Sequence, residues 1–499
     1  MSEYRLSQIK LAGGRLKWLV AASSLVYVAT TQAKPTPKVA APASGNTISL
    51  EQYLDAVAKN NAQVQAALLS KDAAKLKKRK DDLTMTPFAL SANAGFSDDT
   101  QETSMPAQQG DHTKGKLYSF ELSKVFDTGT SLSAKWGQTY SEVTGTAPTI
   151  VIPPGWNSVY QISLSQSLWK NGFGYGTRLR HQREDALTQA AILDAEKSGR
   201  EALIAAEEAY WDYTVKMLDV KEKNTSLERA EKIRGWTGKR FQNGIGDRAD
   251  VLQIEALVAR RKLEQIKSLN DEQSAKLKFM DALGNQAESA NLAPSAQGLS
   301  VLRRLAAGER QAIATIAMQS KARAGEAGAK EAVDGTRPDL SLQGSFGANE
   351  RDASLGTSAN GSFGSDNNFY QVGVKLGMSL DFGLQSDVTA AARAEAKAAR
   401  MISDKLNRDA SISWSEIVRQ HAELTTSIEL MEKLSKTLDD QLAREQTRLE
   451  IGRTTTAQVV TFEQEVANAR QQLLEMKAAQ RKLEAKARLF LTQSEVEAL

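Results

Sequence analysis

The sequence of 499 residues contains no cysteine. That excludes disulfide staples and a lipid-modified N-terminal cysteine anchor. Histidine is nearly absent too. His112, His181 and His421 stand far apart with no ligand-spaced partner, so no metal centre is expected, and no motif asks for a cofactor. Carboxylates are plentiful but lie among cationic neighbours, and no isolated acid–base pair points to catalysis. A net charge of +4 is small for this length and gives little footing for nucleic acid. Past the N-terminus, no run reaches the ~18 apolar residues of a membrane helix. Gly172, Gly174 and Gly176 lack the later glycine and lysine of a phosphate loop. They suit a flexible joint from strand to helix. The basic run Lys75 to Lys80 reads as a solvated helix face.

The N-terminus has the make-up of a secretory signal. Arg5, Lys10, Arg15 and Lys17 precede a short apolar run, Trp18 to Ala29, and Thr31-Gln32-Ala33 supplies small residues for cleavage after Ala33. An uncleaved anchor is the alternative. The expected layout is a signal peptide over 1–33, a linker over 34–47, and two repeats over 48–290 and 291–499.

The repeats rest on residues that recur about 210 positions apart. From Tyr160 the chain alternates Tyr160, Ile162, Leu164 and Leu168 with Gln161, Ser163, Ser165 and Ser167. From Tyr370 it alternates Tyr370, Val372, Val374, Leu376 and Met378 with Gln371, Gly373, Lys375 and Gly377. Phe88 to Phe96 and Leu340 to Phe346 follow the same period of two, which predicts strands with one apolar and one small polar face. Ten-residue ribbons of this kind suit an outer-membrane barrel with a watery lumen. A soluble sheet packed on one side is the alternative.

Long tracts lack helix breakers. Thr177 to Asn243 has no proline, and Val388 to Ile451 has neither proline nor glycine. Helices of that length approach ~100 Å. Each tract ends in a glycine, Gly244 or Gly452, where a helical hairpin needs a residue tolerant of positive φ. After Gly452 the apolar positions Val459, Phe462, Val466, Ala469, Leu473, Met476, Leu483, Ala487 and Phe490 alternate spacings of three and four, with Gln480 interrupting. That period means a left-handed coiled coil. The small residues of Ala390 to Ala399 allow close neighbours on two sides, as in a wall of helices.

With these features in order, the chain resembles TolC-type outer-membrane efflux proteins over nearly all of its mature length. The resemblance rests on the duplication, on the opening Leu50-Glu51-Gln52-Tyr53-Leu54-Asp55-Ala56-Val57, and on two turn motifs. These are Arg240-Phe241 through Gly244 to Asp250-Val251, and Arg448-Leu449 through Gly452 to Gln458-Val459. The resemblance implies an α plus β membrane protein: a homotrimer whose 12-stranded outer-membrane β-barrel, four strands per protomer, continues into a long periplasmic α-helical coiled-coil barrel. It implies an exit duct for tripartite efflux or type I secretion, and no enzyme. A periplasmic adaptor (membrane fusion) protein and an inner-membrane pump or ABC exporter would dock at the helix tips, and outer-membrane lipid would surround the strands. The competing reading is a periplasmic adaptor that only bridges other components.

Two departures from the family pattern stand out. Tyr118, Phe120 and Leu122, then Asp127-Thr128-Gly129, then Leu132, Ala134 and Trp136 read as an additional hairpin. It either adds strands to the barrel or projects outside it. At the tips, the family's ring of aspartates is replaced by neutral Gln458 and Thr461, whereas Asp250 keeps an acidic match. The expected gate and docking residues are Arg240, Gly244, Asp247, Asp250, Gly452, Arg453, Gln458 and Thr461. An Asp250–Arg453 pair would hold the closed state weakly, since partly exposed pairs contribute ~0–1 kcal/mol. Alternatively, Asp250 only favours the first-turn amides of its helix.

Overall fold

Two helices of 68 and 69 residues, Tyr175–Gln242 and Phe382–Glu450, carry the fold. At 1.5 Å per residue each is about 100 Å long. The computed structural model describes residues 47–284, 292–296, 310–364 and 366–491. The expected signal peptide lies outside the described residues, as do the linker except Thr47 and the expected boundary at 290 and 291.

In chain order, β1 (Thr47–Ile48), α1 (Leu50–Asn60) and α2 (Ala62–Met85) lead to β2 (Phe88–Asp99). After the short α3 (Pro106–Gln109) come β3 (His112–Val125), β4 (Thr130–Thr144) and β5 (Gly155–Ser167). The first long helix, α4 (Tyr175–Gln242), then turns back as α5 (Arg248–Leu283). Two short strands, β6 (Ala293–Pro294) and β7 (Gln311–Ala312), precede α6 (Ile313–Gly335), β8 (Asp339–Asp352), α7 (Leu355–Gly361) and β9 (Asn368–Gly377). The second long helix, α8 (Phe382–Glu450), turns back as α9 (Thr456–Lys486) before β10 (Phe490–Leu491).

The helices start and stop for local reasons. Ser49 and Gln52 form a capping box at α1, Asp247 accepts from Ala249 N at the start of α5, and Thr455 accepts from Gln458 N at the start of α9. Both hairpin turns use a left-handed glycine, Gly244 at φ 73° and Gly452 at φ 74°. Along α8, the positions His421, Ile428, Ser435, Leu442 and Leu449 are buried at a strict spacing of seven. This is the seam of a coiled coil. Gln480, the polar interruption of the α9 stripe, donates to Thr425 Oγ1 at 2.9 Å.

One end of α4 packs on α2, where Lys71 meets Glu196 and Lys78 meets Asp185. Its other end packs on α5, where Lys216 meets Asp271. A Cβ added at Gly325 of α6 would meet Ala396 and Ala399 of α8 at ordinary contact distance, so small residues line the approach of α6 and α8. Midway along α4, Tyr53, Tyr210, Trp211, Tyr213 and Phe279 form an aromatic core, with Tyr53 stacked on Phe279 at 4.5 Å. A second core near the turns joins Ile233, Ile254, Leu257, Leu442, Leu449, Val459 and Val466 from four helices.

The six long strands make one antiparallel sheet in the order β2-β3-β4-β5-β8-β9. The sheet is open, with β2 and β9 at its edges. The additional hairpin is β3 and β4, and it lies inside the sheet. Two expected strand residues fall just beyond their strands. Leu168 follows β5, although its N–H still donates to Leu340 O at 2.8 Å. Met378 follows β9, because the ladder ends at Asp339–Gly377. Before Asp339 the chain still belongs to the end of α6, with Arg337 N donating back to Asp334 O.

Candidate functional site: a two-faced sheet and two helix tips

The register sorts the side chains of the sheet into rows. Leu90, Leu122, Ala134, Ile162, Phe346 and Tyr370 stand side by side across all six strands. Ala89, Ser123, Ser133, Ser163, Ser345 and Gln371 form a row of the opposite parity. One face is therefore mainly apolar, interrupted by Lys124 near the helical end and by Gln138, Ser158 and Glu350 towards the other, and the opposite face is mostly small and polar. Along β9 the apolar face is open, with Tyr370 84%, Val372 74%, Val374 66% and Leu376 62% exposed. Tyr160 stands half-buried on the same face of β5, with Ile162 and Leu164 more open. A patch this large marks a lipid or protein contact. Aromatic residues lie towards both ends of the strands. Tyr118 and Tyr140 pack on Trp156 at one end, and Trp169, Phe173 and Phe382 are exposed at the helical end.

The joint between β5 and α4 is tightly built. Asn171 takes φ 54°, Phe173 φ 48° and Gly174 φ 79°. Asn171 Oδ1 accepts from Thr177 N at 2.8 Å and so caps α4. The Asn171 N–H donates to the buried Asp334 carboxylate at 2.9 Å. A Cβ on Gly174 would run into the Asp127 carbonyl, so this glycine is obligatory. Of the three glycines read as a flexible joint, only Gly174 has positive φ. The joint before α8 is held differently: Asp381 N donates to Ser379 Oγ at 3.3 Å and Gln385 Nε2 to Ser379 O at 3.2 Å, with no residue of positive φ.

The predicted tip residues gather at the two hairpin turns. The Arg240 carbonyl accepts from Ile245 N and Gly246 N and closes the first turn together with Gly244. Arg453 N donates to Arg448 O beside Gly452 at the second. Asp250 lies in the first turn of α5, and Gln458 and Thr461 are exposed on α9. No ion pair between Asp250 and Arg453 occurs among the described residues. The hairpins are tied further in. Arg229 on α4 donates to the fully buried Glu463 of α9 at 2.8 and 3.3 Å, and Ser226 donates to the same carboxylate at 2.6 Å. Arg470 reaches Glu222 at 2.6 Å and both Asp439 oxygens at 2.9 Å, joining α9 to α4 and α8. Burial pushes the nearby Asp219 carboxyl up, against Lys223 and Lys216.

Sequence reasoning missed the ties between α4 and α9 because their partners are 234 or more residues apart, and the Arg470–Asp439 tie because its partners lie on facing helices 31 residues apart. A signal existed: Glu463 lies four residues after Val459 and three before Val466, on the buried stripe itself. Each histidine faces a carboxylate: His112 meets Asp98, His181 meets Asp82 and Asp127, and His421 meets Glu484. Among the described residues no three potential ligands cluster to hold a metal, and no helix is long and apolar enough to cross a membrane.

No family model and no curated protein matches the chain. Solved structures do. The outer membrane protein VceC from Vibrio cholerae aligns at TM-score 0.63 and 14% identity, over 88% of this chain and 95% of its own. A membrane protein from Pseudomonas aeruginosa aligns at 0.63 and 16%, over 87% and 90%. The open state of the MtrE outer membrane channel from Neisseria gonorrhoeae aligns at 0.60 and 14%, over 87% of each chain. With a two-faced sheet running into paired helices of this length, the chain has the fold of the TolC-type outer-membrane channels.

Proposed function

We propose that this chain is one subunit of a homotrimeric exit duct in the outer membrane, with a periplasmic helical extension. The carrying observation is the mainly apolar face of an open sheet that leads directly into helices about 100 Å long. Six strands cannot close a barrel, because small barrels need about 8. Unpaired strand edges are not tolerated in lipid. Copies of the chain must therefore share one barrel, with Tyr160, Ile162, Leu164, Leu168, Tyr370, Val372, Val374, Leu376 and Met378 towards lipid. The order helix, strands, long helix, helix runs over 62–283 and again over 313–486. This order supports an internal duplication over 48–290 and 291–499. Residues 1–33 would direct export and be removed, leaving 34–47 as a linker.

Transport through such a duct is passive, and it needs neither cofactor nor catalytic residue. An inner-membrane pump or ABC exporter supplies energy and a periplasmic adaptor docks at Arg240, Gly244, Asp247, Asp250, Gly452, Arg453, Gln458 and Thr461. Opening moves the hairpins apart, so the Arg229–Glu463 and Arg470–Glu222 ties favour the closed state. Fractionation and bilayer recording test the reading. Heat-modifiable trimers in outer-membrane fractions that conduct ions are expected; a water-soluble periplasmic monomer would refute it. Charge reversal at Arg229 should raise the conductance of reconstituted trimers. Reversal at both Asp250 and Arg453 tests the outer tips, and unaltered conductance there would remove them from the gate.

A further inference from the structure

We propose that the β3–β4 hairpin is a widening module of the barrel wall, so that the trimer closes with eighteen strands, six from each copy. The inference rests on the trimeric duct above and concerns how that duct is built.

The hairpin is stitched into the sheet along its whole length. β2 pairs with β3 from Phe88–Lys124 to Asp99–Thr113. β3 pairs with β4 from His112–Thr144 to Val125–Ser131. β4 pairs with β5 from Thr130–Gln166 to Ser141–Gly155. A hairpin projecting beside the barrel would leave β2 to pair with β5 directly, breaking two complete ladders. That rearrangement would exchange the two ladders for a single β2–β5 ladder and leave the outer edges of β3 and β4 unpaired.

The hairpin also keeps the facing of its neighbours. Leu122 and Ala134 stand in the apolar row between Leu90 and Ile162, and Glu121 faces Lys135 in the polar row. Its turn is anchored level with the base of the sheet. Ser167 N donates to Gly129 O, and a Cβ on Gly129 would fall 2.8 Å from Asn171 O. At the far end Tyr118 and Tyr140 meet Trp156 of β5, so hairpin and neighbour reach the same height. The two strands, of 14 and 15 residues, exceed the 9–11 that cross a bilayer.

The module is removable in principle. β2 and β5 run antiparallel, and Leu90 and Ile162 share a face, so excising 112–144 leaves a four-stranded sheet of unchanged facing. Barrel diameter grows roughly linearly with strand number. Eighteen strands therefore make a barrel about half as wide again as twelve, in the size range of water-filled porins. A lumen so wide, where Glu121, Lys135 and Lys375 stand among small polar residues, would not select cargo by size, which leaves the helix tips as the constriction.

Electron cryomicroscopy of the full chain in lipid nanodiscs decides the matter. Eighteen strands in the membrane are expected. Twelve strands with residues 112–144 outside would overturn the proposal and leave the duct intact. No membrane-embedded ring at all would instead sink the duct reading on which it rests. The variant lacking 112–144, closed by a short Gly-Ser link, should form a twelve-stranded ring. It should also exclude neutral polymers from the extracellular side that the full chain admits; an unchanged polymer cut-off would count against the module. Should that variant not assemble, labelling of the full chain decides. Because the chain has no cysteine, Ser133→Cys and Ala134→Cys each give one site. Water-soluble maleimide is expected to react at 133 and a lipid-confined reagent at 134. Aqueous labelling of both would overturn the proposal.

Discussion

α4 and α8 have nearly the same length and opposite surroundings. α4 is enclosed by its own chain, packing on α2, α5, α6 and α9, and its buried positions lie on several sides. α8 packs mainly on α6 and α9, with smaller contacts at β7 and at the core near the turns, and its buried positions follow a narrow stripe. Its remaining apolar side chains, among them Met401, Ile412 and Leu430, are open, with Ile412 68% exposed. The difference shows two uses of one pattern. α4 is the strut around which the chain folds, and in the trimer proposed above α8 would be the face offered to the next copy. The joints agree with this. The strand-to-helix passage before α4 is pinned to the end of α6 by Asn171 and Asp334, whereas the one before α8 is held by bonds within its own segment, from Asp381 and Gln385 to Ser379.

The contrast can be broken most directly at Arg229. Arg229→Ala leaves the buried Glu463 carboxylate without its cation, and removing one partner of a buried pair costs about 3–5 kcal/mol. Guanidinium denaturation should show that loss, and Glu463→Gln in the same chain should recover part of it. Next comes the strut itself. Ile233→Ala should cost about 2–5 kcal/mol of subunit stability. Ile412→Ala should leave subunit stability within about 0.5 kcal/mol but lower the trimer fraction in unheated gels. Equal losses of subunit stability at the two sites would erase the distinction between strut and face.

The joints give a smaller effect. Asn171→Ala loses a cap and places alanine in a left-handed conformation, together about 1–2 kcal/mol. Asp381→Ala, which loses no cap bond, should shift the melting temperature little. The smallest effect concerns pH. Burial raises the Asp219 carboxyl, so the folded state favours the protonated form. That contribution is greatest below the ordinary carboxylate range and is lost as pH rises through the raised value. Asp219→Asn fixes the neutral form. It should raise the melting temperature slightly at pH 7 and flatten the pH dependence just above the carboxylate range.

Much of this architecture was readable because its signals are local. The absence of proline delimits α4 and α8, Gly244 and Gly452 mark their turns, and a period of two marks β5 and β9. What depends on distant partners was not readable. Nothing near Tyr160 says that β5 pairs with β8, which joins the two halves into one sheet. Nothing near Tyr118 says that its hairpin lies within the ladder rather than outside it. Asp250 and Arg453 were expected to pair from the family resemblance of the tips, while the carboxylate that ties α4 to α9 in the structure is Glu463, hidden in a stripe read as apolar. Leu168 and Met378 were assigned to strands on alternation alone, which continues past the last ladder pair.

The open edges of β2 and β9 bear on how the subunit survives before it finds its place. On the reading proposed above, a newly exported monomer would carry two rows of unsatisfied amides and carbonyls beside a greasy surface, a template for joining any extended chain. Its safe lifetime in water would be short, and holding chaperones would have to shield both margins until the proposed trimer forms. Overproduction should therefore fail by sedimentation of mispaired subunits rather than by proteolysis of loosely folded ones.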